Sequence, residues 1–348
     1  MSSLPNPRPE TRDPRPFEET ESFYLCSRLE EIIVAKNVNL TLMLADYHRT
    51  RPLLNGEVVT KGIKLQPRRA ESGEACMRPV YEEFDIAEMS LSWYMMARCR
   101  NEPVIALPIF PLRMQIHPYI FCGAVSGIEG PEDLKGKKIG MDEYRLTVGL
   151  WARGILREYH GVKPEDCEWY TSAPEGAGFR PPPSVKITVT NEPTEALLLR
   201  GEIDALIPPN IVPSFRAKDP RIRRVFKDPR TTVNEYFRRT GIFPITHTLV
   251  VRQSLFDKHQ WLVSSLLNAF TEAEKVCRQS YAYAKRLALP SAVLILEEEE
   301  EVFGDNPWGH GLTPENQVVL EKFVQYAQEQ GYIPFRPQLS ELFAPEGN

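Results

Sequence analysis

Short apolar runs alternate with helical stretches through the first third of this 348-residue chain, and that alternation leaves few folds open. Strand-like runs are read at 40–44, 63–65, 85–89, 104–110 and 119–125, and helix-like stretches at 75–84 and 93–100 lie between them. Apolar runs this short are too brief for buried helices and suit strands covered on both faces. Strands alternating with helices predict an α/β unit on a largely parallel sheet.

The pattern restarts near Ser126. A strand at 134–141 leads into a helix over Thr147–His160, with Val148, Trp151, Ile155 and Tyr159 on one face and Thr147 as N-cap. A proline-rich loop at 172–184, a helix at 191–200 closed by Gly201 and a strand at 203–207 follow. The β-branched run 242–251 suits a strand returning to the first unit. Amphipathic helices are expected at 258–277 and 314–330, and the acidic run 297–301 reads as a solvated helix face. Residues 1–20 hold five prolines and many charges, which suits a loosely attached arm, with a short helix at 25–34. The expected organisation is an N-terminal arm (1–37, partly disordered), a discontinuous first lobe (38–124 and 244–348) and a second lobe (125–243). Crossings near 120–126 and 241–246 would form the hinge, with a ligand between the lobes.

Composition excludes several classes. A net charge of −5 gives no global field for nucleic acid, and no window approaches the ~20 apolar residues of a membrane span. The N-terminus lacks the apolar core of a signal peptide, and the six cysteines form no CxxC pair. A reduced, cytoplasmic protein is therefore expected, its oligomeric state open, a homo-oligomer included. The chain has no G-x-S-x-G elbow, Walker A loop, dinucleotide glycine fingerprint or H-E-x-x-H pair.

The candidate chemistry is anionic. Asp46-Tyr-His-Arg-Thr-Arg51 follows the first strand-like run, at the strand end where open α/β sheets bind ligands. Such a cluster is either a solvated loop or a wall of a site. Arg49, Arg51, Arg113 and Arg145 all follow strand-like segments, where guanidinium groups suit bidentate capture of carboxylate. The stretch 142–147 adds free backbone N–H groups and a positive helix end. Ser90 ends a strand and is expected to donate one hydrogen bond. Among the histidines, His117 and His247 adjoin the crossings and are expected to look into the cleft, against the alternative of hydrogen-bonded core residues. No metal-ligand spacing occurs.

These segments, taken in order, resemble the 4,5-dihydroxyphthalate decarboxylase family. The motifs are Asp46-Tyr-His-Arg-Thr-Arg51, Phe84-Asp-Ile-Ala-Glu-Met-Ser-Leu91, Pro108-Ile-Phe-Pro-Leu-Arg-Met114 with His117, Glu143-Tyr-Arg-Leu-Thr147, Gly201-Glu-Ile-Asp-Ala-Leu206 and Arg238-Arg-Thr-Gly-Ile-Phe-Pro-Ile-Thr-His-Thr248. The resemblance spans about residues 38–346 and implies a two-lobed, periplasmic-binding-protein type II-like α/β fold with a central cleft. It further implies non-oxidative decarboxylation of a hydroxylated, phthalate-like aromatic acid by ipso protonation and CO2 loss, with no cofactor. His247 or His117 would be the acid and His48 would act on a ring hydroxyl. Arg51, Arg113 and Arg145 would orient carboxylates, with Arg49, Ser90 and Thr147 as further substrate contacts. The chain departs from the family pattern at His48, usually acidic, at 115–118, which lacks an arginine, at Arg145, commonly glutamine, and at Trp93, usually smaller. The alternative on the same fold is a solute-binding protein or ligand sensor for a small carboxylate.

Overall fold

The computed structural model describes residues 38–70, 80–176 and 178–347. The expected arm, its short helix and the first half of the helix expected at 75–84 lie outside the described residues. The first sheet holds β1 (Val38–Ala45), β2 (Ile63–Ala70), β3 (Ile86–Ser90), β4 (Val104–Arg113) and the returning strand β11 (Ile245–Arg252), in the order β2-β1-β3-β11-β4. Neighbours β2, β1 and β3 run parallel, and β11 runs antiparallel to β3 and β4. All five residues of β3 are buried, as the covered faces of such a sheet require. Pro108 and Pro111 are tolerated in β4 because it is an edge strand.

The second sheet holds β5 (Phe121–Gly123), β6 (Lys138–Met141), β7 (Glu168–Thr171), β8 (Lys186–Val189), β9 (Ala205–Leu206) and β10 (Ile222–Arg224), in the order β10-β5-β9-β6-β7-β8. Because β5 pairs with β9 and β10, the chain crosses between sheets before Phe121, ahead of the crossing expected at 120–126. The return runs through 241–244 into β11. The fold is thus the two-lobed α/β arrangement of periplasmic-binding-protein type II-like chains.

Helices cover both sheets. They include α1 (Leu91–Cys99), α2 (Thr147–His160), α3 (Pro229–Thr240), α4 (Leu262–Tyr281), α5 (Ala292–Phe303) and α6 (Pro314–Glu329). Helix α2 ends on Gly161, whose φ of +67° is the left-handed cap that glycine adopts without a Cβ penalty. The amphipathic stretch expected at 258–277 is broken near His259, and α4 begins at Leu262. The acidic run is not purely solvated, since Glu298 in α5 binds Arg230 and accepts from Asn234 Nδ2 at 2.9 Å, both in α3.

Helix α6 ties the lobes together. Near its start Asn316 Oδ1 accepts from the first-lobe Arg113 Nη2 at 2.6 Å. Further along, Phe323 and Tyr326 pack on Trp151, and Tyr326 donates to Glu158 of α2 at 2.6 Å. Just past its end Gln330 joins Arg153 Nε and the Leu150 carbonyl, each at 2.9 Å. Gly154 lies under the Tyr326 ring, where any Cβ would clash.

Candidate active site

The register of β11 against β3 builds the site. His247 lies opposite Ser90 and Leu249 opposite Glu88, so His247, Ser90 and Glu88 share one face of the sheet. Glu88 is fully buried, and an ionised carboxylate there costs several kcal/mol unless it is paired and hydrogen-bonded. It is satisfied completely. His247 Nδ1 binds Oε1, the Tyr47 hydroxyl donates to Oε1 at 2.6 Å, and the Ala45 amide donates to Oε2 at 3.0 Å. Burial opposes ionisation of Glu88, but the bond to His247 and its charge, with Tyr47 and the Ala45 amide, outweigh it and hold the carboxyl below its usual range.

His247, 11 % exposed, lines a cavity of about 140 Å³ between the lobes. One wall comes from the first lobe through Ser90, Trp93, Leu112, Met114, Thr246 and His247. The other comes from the second lobe and includes Asp142, Glu143, Leu146, Thr147, Val148 and Asn210. An apolar cavity of about 150 Å³ accommodates benzene, so this one matches a single ring. The starts of α1 and α2 meet at its edge, bringing two positive helix ends together from opposite lobes. Burial raises the Asp142 carboxyl above its ordinary value, and the neighbouring Glu143 adds to this. Thr147 is the first residue of α2 but does not cap it. Its hydroxyl crosses the cleft to Ser90 Oγ at 2.6 Å and Ser92 Oγ at 2.9 Å.

Of the expected site residues the structure brings together His247, Ser90 and Thr147; the others lie elsewhere. His117 is buried in an aromatic box, its ring edge-on to Phe226 and Tyr236 at 5.0 and 4.9 Å between centroids. Its Nδ1 has no partner among the described residues, and burial, then the charge of His160, pushes it down to about 4. His48 is exposed and meets the Tyr281 hydroxyl at 3.0 Å, because its turn packs on α4 rather than on the cleft. Arg51 is half exposed and paired with Asp46 at 2.9 Å. Arg49 stacks 3.7 Å over Trp308 and donates to the Pro111 carbonyl. Arg113 is buried and spent on Gly309 O (2.7 Å) and Asn316 (2.6 Å), burial bringing it down to about 9. Arg145 comes nearest. It pairs with Glu143 at 2.5 Å and lies 3.9 Å over the Trp93 ring, so both these departures from the family pattern form a single contact across the lobes. None of the four arginines lines the cavity.

The residue that the sequence reading passed over is Glu88. Its signal was a lone carboxylate inside an otherwise apolar strand, Ile86-Ala-Glu-Met89, where burial demands a partner. Among the described residues no three His, Cys, Asp or Glu side chains are grouped as a metal site, and no helix is long and apolar enough to cross a membrane.

Fold and cleft define a two-lobed binding-protein architecture carrying a buried carboxylate–histidine pair. The fold is similar to that of the periplasmic sulfonate-binding protein SsuA from Methylobacillus flagellatus KT, with a TM-score of 0.55 and 14% identity over 89% of this chain and 92% of that one. No family model matches the sequence. The 4,5-dihydroxyphthalate decarboxylase of Comamonas testosteroni is 33% identical over 88% of this chain and 97% of its own length. That of Pseudomonas putida is 34% identical over 60% of this chain and 84% of its own. The chain belongs to the 4,5-dihydroxyphthalate decarboxylase family.

Proposed function

We propose that this chain is a carboxy-lyase that removes CO2 from a hydroxylated, phthalate-like aromatic acid, with His247 as the proton donor. The observation that carries the reading is the Glu88–His247 pair on the wall of a ring-sized cavity between the lobes. With Nδ1 engaged by Glu88, the proton that His247 exchanges with a ligand is the one on Nε2. A ring hydroxyl ortho or para to the reacting carbon feeds electron density to that carbon, which accepts the Nε2 proton. The C–C bond to the carboxylate then breaks, its electrons restore the aromatic ring, and CO2 leaves. Solvent reprotonates the neutral imidazole. The anionic Glu88 stabilises the imidazolium that precedes transfer, and it is pre-positioned by Tyr47 and the Ala45 amide.

The carboxylate itself has no arginine clamp in this cavity. The positive ends of α1 and α2 supply a field in place of one. Trp93, Leu112, Met114, Leu146 and Val148 form a low-dielectric box for the ring. Incubation of the protein with 4,5-dihydroxyphthalate is expected to release one CO2 for each 3,4-dihydroxybenzoate formed. Saturable binding of hydroxylated phthalates and related acids with no CO2 release would instead make the chain a binding protein.

A further inference from the structure

Polar groups of four residues bridge the cleft beside His247, and with every contact a hydrogen bond their protons can be placed in only one way. The Arg145 carbonyl can only accept, so the contact from Ser92 Oγ at 3.0 Å uses the Ser92 proton. Ser92 and Thr147 hydroxyl oxygens lie 2.9 Å apart, and with the Ser92 proton spent, Thr147 must be the donor. Thr147 Oγ1 also accepts the Ser92 amide at 3.0 Å. The remaining contact, Ser90 Oγ to Thr147 Oγ1 at 2.6 Å, must then use the Ser90 proton. All three hydroxyls are buried, so none exchanges these partners for bulk water. Ser90 lines the cavity, and what it has left for a ligand is lone pairs.

We infer that Ser90 is a specificity-determining residue that accepts a hydrogen bond from a ring hydroxyl of the substrate. This reverses the donor role expected from sequence, and it rests on the reading of this cleft as the substrate site. A carboxylate placed against Ser90 would meet lone pairs with lone pairs. A phenolic O–H meets them with its proton. Ser90 therefore orients the ring, holding a hydroxyl rather than the carboxylate where β3 runs into α1. The polarity of Ser90 is set from the far side of the cleft, because Arg145 and Thr147 belong to the second lobe while Ser90 and Ser92 belong to the first. Only the closed arrangement of the lobes imposes it.

Calorimetric binding of 3,4-dihydroxybenzoate and its two analogues with one hydroxyl replaced by fluorine tests this without requiring turnover. Fluorine is close to hydroxyl in size but donates nothing. The unmodified protein should bind one fluoro analogue about tenfold or more weaker than the dihydroxy acid, as loss of a buried donor at a fixed acceptor requires. Ser90→Ala should bring that ratio to within about threefold. Ser92→Ala, which removes a group one step back from Ser90, should also narrow it, because Thr147 can then turn its proton to Ser90 and free the Ser90 proton for the ligand. Equal affinities for all three acids in the unmodified protein, or a ratio unchanged in Ser90→Ala, would overturn the assignment while leaving CO2 release from 4,5-dihydroxyphthalate intact. Loss of CO2 release with the ratio preserved would overturn the proposed reaction and not this one.

Discussion

His117 and His247 flank the two passages between the sheets and are both largely buried, yet their surroundings differ in kind. His117 is enclosed by the edges of Phe226 and Tyr236, with no carboxylate bound to it among the described residues. His247 rests on the carboxylate of Glu88 and borders a cavity. Burial alone makes a histidine a poor acid or base near neutral pH, because it disfavours the charged form. Burial against an anion makes it a proton carrier. On the proposed mechanism it is the carboxylate two residues before the end of β3, not proximity to a crossing, that separates the proton donor from a packing histidine.

The comparison can be broken most directly at His247. His247→Gln should lower CO2 release by about 10²–10⁴-fold, the range of a lost general acid, with 3,4-dihydroxybenzoate still bound within a few-fold. Activity within a factor of two would remove His247 from the reaction. Glu88→Gln keeps the shape and removes the charge, and should cost roughly 10–100-fold in the same assay, the range of a removed supporting group. Glu88 also has a pH signature. Its folded-state carboxyl is held below the usual value, so its stabilisation is complete above the unfolded value, about 4.3, and is lost as pH falls through the folded one. Glu88→Gln should lack that part of the acid limb in chemical denaturation.

His117→Phe sharpens the other half. The ring stays in its aromatic box, and CO2 release should remain within about twofold, since a substitution away from the reacting groups leaves transition-state binding unchanged. Stability should change with pH instead. His117 titrates near 4 in the folded protein against 6.5 when unfolded. The unfolded chain therefore takes up its proton first, and stability is full above pH 6.5 and falls towards pH 4, by up to about 3 kcal/mol. The variant should not show this loss. The smallest effect is expected for Tyr47→Phe, which removes one of three hydrogen bonds to Glu88 and should cost about 1 kcal/mol in stability.

The sheets were legible because β1, β3 and β4 are largely apolar runs, and the returning strand was legible from its β-branched residues 245–251. The short, half-exposed strands β7, β8 and β10 were not, since Lys186-Ile-Thr-Val189 has neither a clean alternation nor a run. Within the site, His247 followed from the topology. The arginines misled because a guanidinium after a strand serves carbonyls and packing as readily as a ligand. Arg113 holds Gly309 and Asn316, and Arg49 holds Pro111 under Trp308. The cluster Asp46–Arg51 has the same lesson, for of its residues it is the unremarked Tyr47 that reaches the buried Glu88. Which side of a turn faces the cleft depends on α4 packing across it, and that is a tertiary fact.

Helix α6 is fastened to the first lobe through Asn316 and to the second through Tyr326, with Gln330 beyond its end adding a second tie there. A body pinned along one side can open only as a book opens, about its spine. Asn210, exposed at the cavity rim, marks a side on which the cavity meets solvent. A side chain added at Gly154 would press on the spine itself. It would disturb the packing that joins the lobes without touching a residue that lines the cavity.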